Sequence, residues 1–213
     1  MGQVFIDDPK VPSKTKQFRD IGDLRTGWRD LLSAVNAARV TGASEPTFTA
    51  FRGGIYQYSF SATVMNQVVM NPFHIDHDYA SGTDLFIHVH WSTAGTNTGV
   101  VRWGLEWTYA KGHDQEAFPV TQTYYLEQAA SGTAYQHMVA EGTIPGTDVI
   151  EGTANGIETD GLVLVRLFRD AAHANDTCTD AAFAFTVDIH YQCDHYNTPN
   201  KAPDFGTWDP YID

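Results

Sequence analysis

The stretch Gly82–Ser92, "GTDLFIHVHWS", decides how the rest of the chain is read. Leu85, Ile87, Val89 and Trp91 alternate in it with Asp84, Phe86, His88 and His90. Successive side chains of a strand point to opposite faces, so strict alternation predicts a strand with one buried and one polar face. The leucine, isoleucine, valine and tryptophan make the core face. His88 and His90 then lie on the outer surface of a sheet or at a subunit contact.

The same grammar extends in both directions. "TFTAFR" (47–52) and "IYQYSFSA" (55–62) are joined by Gly53-Gly54, a hairpin-turn signal. "TVMNQVVM" (63–70) and the loop "NPFHIDHDYASGTD" (71–84) lead into the histidine strand. After the turn "TAGTNTG" (93–99) comes the long strand "VVRWGLEWTYA" (100–110), and "VTQTYYLE" (120–127) and "AYQHMVAE" (134–141) are weaker candidates. In the long strand Val101, Trp103, Leu105, Trp107 and Tyr109 form a continuous apolar face, which predicts core rather than an exposed platform for sugars. "GLVLVRLFRD" (161–170) and "AFAFTVDIHYQC" (182–193) are the strongest late strands. In the last, Phe183, Phe185, Val187, Ile189 and Tyr191 are expected on one face, with Thr186, Asp188, His190 and Gln192 on the other. Eight or nine strands divided by turn signals predict an all-β fold, an antiparallel jelly roll or β-sandwich.

The N-terminal part reads differently. Residues 1–20 have Pro9, Pro12, mixed charges and no periodicity, and are expected to form an extended arm. In "DLRTGWRDLLSAVNAAR" (23–39), Leu24, Trp28, Leu31, Leu32 and Val35 recur at spacings of three and four, which predicts one N-terminal helix. Asp23 or Thr26 would cap its start and Gly42 closely follows its end. The organisation expected is an arm plus helix over 1–45, a β-sandwich body over 46–193 and an extended C-terminal tail over 194–213. That tail carries Tyr196, Phe205, Trp208 and Tyr211, and its apolar content calls for packing on the body or on a neighbour.

Composition narrows the function classes. The 213 residues are 42% hydrophobic and 13% aromatic, enough for a sizeable core. The net charge of −13 is divided unevenly, with +2 over residues 1–39 and −15 over the remainder. An acidic body argues against nucleic acid as partner, because phosphate binding needs a basic face. No apolar run is long enough to span a bilayer and no leader pattern opens the sequence, so neither a membrane nor a secretory route is expected. Cys178 and Cys193 flank one predicted strand. A strand advancing ~3.3 Å per residue would hold the thiols well beyond the ~7 Å Cα separation of a disulfide, so free thiols are expected.

His88 and His90 carry the one metal-like spacing. Gly82, five residues, His88, one residue and His90 together resemble the opening of the first cupin motif, which implies a jelly-roll barrel and a metal-dependent enzyme. The resemblance ends there: Ala94 and Gly95 stand where that family has its Glu, and its second motif is absent. His74 and His77 could add ligands from a loop. Zinc or iron needs three or four ligands, and a lone histidine pair does not supply them. There is no G-x-S-x-G, no H-E-x-x-H and no phosphate-cradling glycine loop; the pairs Asp7-Asp8 and Asp76 with Asp78 read as solvated carboxylates. No catalytic, cofactor-binding or metal residue is therefore assigned. His88, His90 and His190 are expected on a polar or interface face, with an interface metal site among them left open.

In order along the chain, "FRGGIYQYSF", "GTDLFIHVHW", "WGLEWTYAKG", "DGLVLVRLFRD" and "VDIHYQCDHYNTPNK" resemble a set of small virion proteins of tailed bacteriophages, over roughly residues 46–201. The resemblance implies a jelly-roll structural protein located in the virion and assembled in the host cytoplasm. Such a protein is not an enzyme and carries no cofactor. Its implied role is capsid cement or decoration, with a collar, tail-fibre or spike domain binding a host receptor as the alternative. Its implied partners are the major capsid protein or other virion subunits and further copies of itself, as dimer or trimer.

Overall fold

In the computed structural model, which describes residues 27–146 and 156–193, the chain is built from strands. In chain order they are β1 (Gly27–Ala34), β2 (Thr47–Arg52), β3 (Ile55–Phe60), β4 (Asn66–Val69), β5 (Phe73–His74), β6 (Leu85–Thr93), β7 (Val100–Lys111), β8 (Gln122–Ala129), β9 (Met138–Ile144), β10 (Gly161–Arg169) and β11 (Ala182–Cys193). One sheet has the order β2-β3-β11-β6-β9, and β1 lies beside β3 on the same edge of β11: β3 pairs with Ala182–Ala184 and β1 with Thr186–Cys193. The other sheet has the order β4-β10-β7-β8, with β5 also pairing β10. Every pairing among the described residues is antiparallel. The two sheets form an antiparallel sandwich of jelly-roll type, as the alternation predicted.

The core lies between the sheets. Leu85, Ile87, Val89 and Trp91 of β6 and Val101, Trp103, Leu105 and Tyr109 of β7 are all wholly buried, each on the face expected from the sequence. Trp103 packs edge-on against Phe60 (ring centroids 5.2 Å) and Trp91 (6.1 Å), which joins the two sheets at the centre. Full burial of a large apolar side chain contributes ~1.5–3 kcal/mol, so this layer is the principal source of cohesion. The Trp91 indole N–H donates to Gln128 Oε1 (2.6 Å), and the Gln128 amide donates in turn to the Val139 carbonyl (2.8 Å). The rims of the sheets close at Gly142 of β9, where an added Cβ would come within 2.4 Å of Tyr124 and 2.6 Å of Leu126 on β8.

A buried ion pair holds one end of the sandwich. Arg169, at the end of β10, has no exposed surface and sits against Asp176. Its Nε donates to Asp176 Oδ2 (2.9 Å) and its Nη2 to Asp176 Oδ1 (2.7 Å) and the Cys178 carbonyl (2.5 Å). Nη1 donates to the carbonyls of Asp180 (2.7 Å) and Phe60 (3.4 Å). Cys178 and Cys193 are both free and buried, in agreement with the spacing argument.

Two expectations are corrected. The helix predicted over 23–39 is not present in its described part: residues 27–34 are strand β1, and only Val35–Ala37 make a single 3₁₀ turn. The reason is visible in the burial. Leu31 packs on the core, and Ser33 and Val35 are buried, a period of two, whereas Trp28 (58% exposed) and Leu32 (70%) face outward. Pairing along β11 satisfies the β1 backbone, and that long-range gain outweighs the local three-and-four spacing. The second correction concerns β11, where Phe185 is the extra residue of a β-bulge between Ala184 and Thr186. Ala182 and Ala184 therefore face the core before the bulge, and Val187, Ile189 and Tyr191 after it. The arm over 1–20, the start of the predicted helix and the tail over 194–213 lie outside the described residues.

Candidate functional site

The polar face read from the sequence is the outer face of the six-stranded sheet, and the strand register brings its charged groups together. Leu32, Asp188, His88 and Glu141 stand directly opposite one another across β1, β11, β6 and β9. The neighbouring rows are Asp30–His190–Phe86–Thr143 and Ala34–Thr186–His90–Val139. Diagonal neighbours on one face of a sheet are within reach of long side chains, so Asp188 meets His90 as well as His88, and His190, two residues further along β11, stands on the same face.

Asp188 is the hub of this cluster and is 1% exposed. Its Oδ2 lies 3.3 Å from His88 Nδ1 and 3.1 Å from His190 Nε2, and its Oδ1 lies 2.9 Å from His90 Nε2. An outer ring of partners orients the imidazoles. His88 Nε2 is 2.6 Å from Glu141 Oε2, His90 Nδ1 is 2.8 Å from His137 Nε2, and His190 Nε2 is 2.8 Å from Asp30 Oδ1. The His88 and His190 rings meet edge to face at 4.0 Å, and His90 stacks on His137 at 4.9 Å.

Although these atoms are close, the N–H directions do not match them. His88 Nδ1 and Asp188 Oδ1 are both buried, and neither makes a hydrogen bond among the described residues. Burial pushes the His90 imidazole below its ordinary value, opposing the pull of Asp188. Burial likewise pushes the Asp188 carboxyl up, while His90, His88 and His190 draw it back. A carboxylate held dry among imidazoles is an electrostatically expensive arrangement.

Aromatic groups border the cluster on both sides. Trp28 packs edge-on against Phe86 (5.5 Å) at one end. At the other, Phe51 gathers Phe183, Phe185 and Tyr135 at 5.0–5.3 Å, and Arg52 covers the Tyr135 ring. The Phe185 bulge makes this second group possible, since it puts Phe183 on the outer face.

The other residues singled out in the sequence lie elsewhere. His74 bonds Asp160 (2.8 Å), away from the cluster, and Asp78 is buried against Tyr191 Oη (2.8 Å) and Arg29 Nε (2.8 Å). Trp103 and Trp107 are core. Sequence reading placed His88, His90, Asp188 and His190 on polar faces but missed Asp30, His137 and Glu141. Asp30 on β1 and Glu141 on β9, with His137 just before β9, meet β11 and β6 only through non-local pairing, which no local pattern reports.

No protein-family model matches the chain, and none of the curated proteins does. Among solved structures the sandwich is similar to the CBM35 of Cellvibrio japonicus Abf62, at 15% identity and a TM-score of 0.41 over 76% of this chain and 92% of that one. It is also similar to a chain of the infectious bursal disease virus Gt strain, at 11% identity and a TM-score of 0.35, covering 94% of this chain and 37% of that one. A chain of the Israeli acute paralysis virus particle matches at 14% identity and a TM-score of 0.32, covering 95% and 89%. These are likenesses of fold alone.

Proposed function

We propose that the protein is a structural component of a tailed-phage virion, a capsid cement or decoration protein that bridges subunits of the head. The observation that supports this reading is the β2–β3 hairpin. Among the described residues β2 is the end strand of its sheet, and the hairpin exposes Phe48 (53%), Ile55 (62%) and Tyr56 (51%). A free strand edge beside exposed aromatics invites pairing with another chain unless an assembly covers it. Aromatic anchors of this kind carry a large share of the energy in protein interfaces. The resemblance of five segments to small phage virion proteins points the same way. In this role the chain works by covering surface and needs no catalytic group. Its partners are the major capsid protein and further copies of itself.

The test is to measure binding of the purified protein to heads of the phage that encodes it, and to locate it in intact particles by immunogold labelling. Saturable binding to heads, weakened at least ~10-fold by Phe48→Ser with Tyr56→Ser, is the expected result. A protein absent from particles, or bound no better than the double variant, overturns the reading. Label at the tail tip would instead favour a fibre or spike domain that uses the same exposed aromatics on a host receptor.

A further inference from the structure

We infer that the outer face of the six-stranded sheet binds one divalent transition-metal ion, with His88 Nδ1, His90 Nε2 and the Asp188 carboxylate as its protein ligands. This goes beyond the structural role proposed above and departs from the sequence reading, which assigned no metal residue.

The first reason is the pair of orphaned atoms. His88 Nδ1 and Asp188 Oδ1 are buried polar atoms without a hydrogen bond, in side chains 6% and 2% exposed. A buried polar group left unpaired is costly, and structures retain one where something else completes it. When His88 donates its Nε2–H to Glu141, its Nδ1 presents a lone pair, and it faces a carboxylate oxygen 3.3 Å away. Two electron-rich atoms at that distance repel. A cation between them turns both into ligands.

Geometry agrees with that reading. The ligand atoms of His88, His90 and Asp188 all lie within 4.8 Å of one another. A tetrahedral ion with bonds of ~2.0–2.1 Å needs ligand atoms ~3.3 Å apart. The observed separations of 2.9 and 3.3 Å to Asp188 are within a few tenths of this, so small side-chain rotations admit the ion. Imidazole nitrogen with carboxylate oxygen suits zinc, cobalt or nickel and not calcium or magnesium.

The surroundings are those of a metal centre as well. Metal-ligating histidines usually pass their second ring N–H to a carboxylate or another acceptor, which fixes the ring. Glu141 does this for His88, and His137 is placed to do it for His90. The His90 side chain keeps 24% of its surface exposed and His190 34%, so the fourth position opens towards solvent. His190 and Asp30 stand beside that opening, 2.8 Å from each other.

The test uses the full chain, stripped with a chelator and titrated with zinc by calorimetry at neutral pH, with bound metal counted by mass spectrometry. The expected result is one zinc per chain. Asp188→Asn and His90→Asn, each checked for native circular dichroism, should weaken binding at least ~100-fold. His74→Asn, outside the cluster, should leave it within about twofold of the parent. Cobalt(II) in place of zinc should give visible ligand-field bands that both cluster variants lose. The inference is overturned if the parent chain takes up no stoichiometric zinc, if His90→Asn binds as well as the parent, or if His74→Asn is the variant that loses binding. A misfolded Asp188 variant leaves His90→Asn and the parent chain to decide.

Discussion

Arg169 and Asp188 are both charged and both almost wholly buried, but one is saturated and the other is not. Arg169 directs every guanidinium N–H to an acceptor, two of them to the Asp176 carboxylate and the rest to three main-chain carbonyls. Asp188 has three imidazoles within 3.3 Å and still leaves Oδ1 without a hydrogen bond. The first arrangement is complete within the chain and so is read as structure. The second becomes complete only with something added, and so is read as a site.

The largest effect should come from breaking the saturated pair. Arg169→Met leaves Asp176 buried without its countercharge and frees the Asp180 and Cys178 carbonyls. Loss of one partner of a buried pair costs ~3–5 kcal/mol. Urea unfolding of the purified variant measures it. A loss below ~1 kcal/mol would mean that the two clusters do not differ in the way described.

The matching change at the unsaturated hub should behave oppositely. In metal-free protein Asp188→Asn removes a buried charge that is poorly hydrogen-bonded, and stability should change by less than ~1 kcal/mol. Zinc at a hundred times the parent's dissociation constant should then stabilise the parent chain by ~2.7 kcal/mol and the variant by less than ~0.5 kcal/mol. Thermal melts with and without zinc read both numbers on the same samples. Equal losses in Asp188→Asn and Asp176→Asn, without zinc, would remove the contrast.

Glu141 sharpens the comparison further, because it touches the cluster from an exposed position. Glu141→Ala frees the His88 ring to turn, which should weaken zinc binding ~10–100-fold while costing less than ~0.5 kcal/mol of stability. Paired calorimetric and unfolding measurements separate these two quantities. A variant that loses stability in proportion to affinity would make Glu141 a structural partner only.

How far the sequence could reveal these clusters depends on how local each signal is. The bounds of β2, β6 and β11 were legible almost to the residue, because alternation of apolar and polar side chains reports a half-buried strand directly. The bulge at Phe185, which alternation does not report, exchanged the faces of the residues before it in β11. The stretch around β1 misled because Trp28, Leu31, Leu32 and Val35 suit a helical face as well as a strand with two apolar outward residues. Only the partner strand decides between them, and β11 lies far away in sequence. The same holds for the site. His88 and His90 announced themselves by spacing, and Asp188 and His190 by their place on the polar face of β11. That those faces abut, with Glu141 and Asp30 in the same rows, follows from the register between distant strands.

A third charged group, on the outer face of the other sheet, gives the smallest effect and asks whether burial is what separates the clusters. Glu106 accepts from Thr121 Oγ1 (2.7 Å) and Arg166 Nε (2.5 Å), partly open to water. Those two hydrogen bonds hold its carboxyl below the ordinary glutamate value, against desolvation. A folded-state value below the unfolded one means that the pair stabilises the protein above the unfolded value of about 4.5, and that this support disappears as pH falls through the lower folded value. Because the pair is near solvent, its worth is under ~1 kcal/mol and should shrink in high salt. Glu106→Gln should therefore flatten the acid limb of the stability–pH curve slightly, and the flattening should vanish in molar salt. An acid-limb change as large as the Arg169→Met loss would show that exposure does not weaken charge pairs in this fold. The line drawn between the saturated and unsaturated clusters would then have to rest on hydrogen-bond geometry alone.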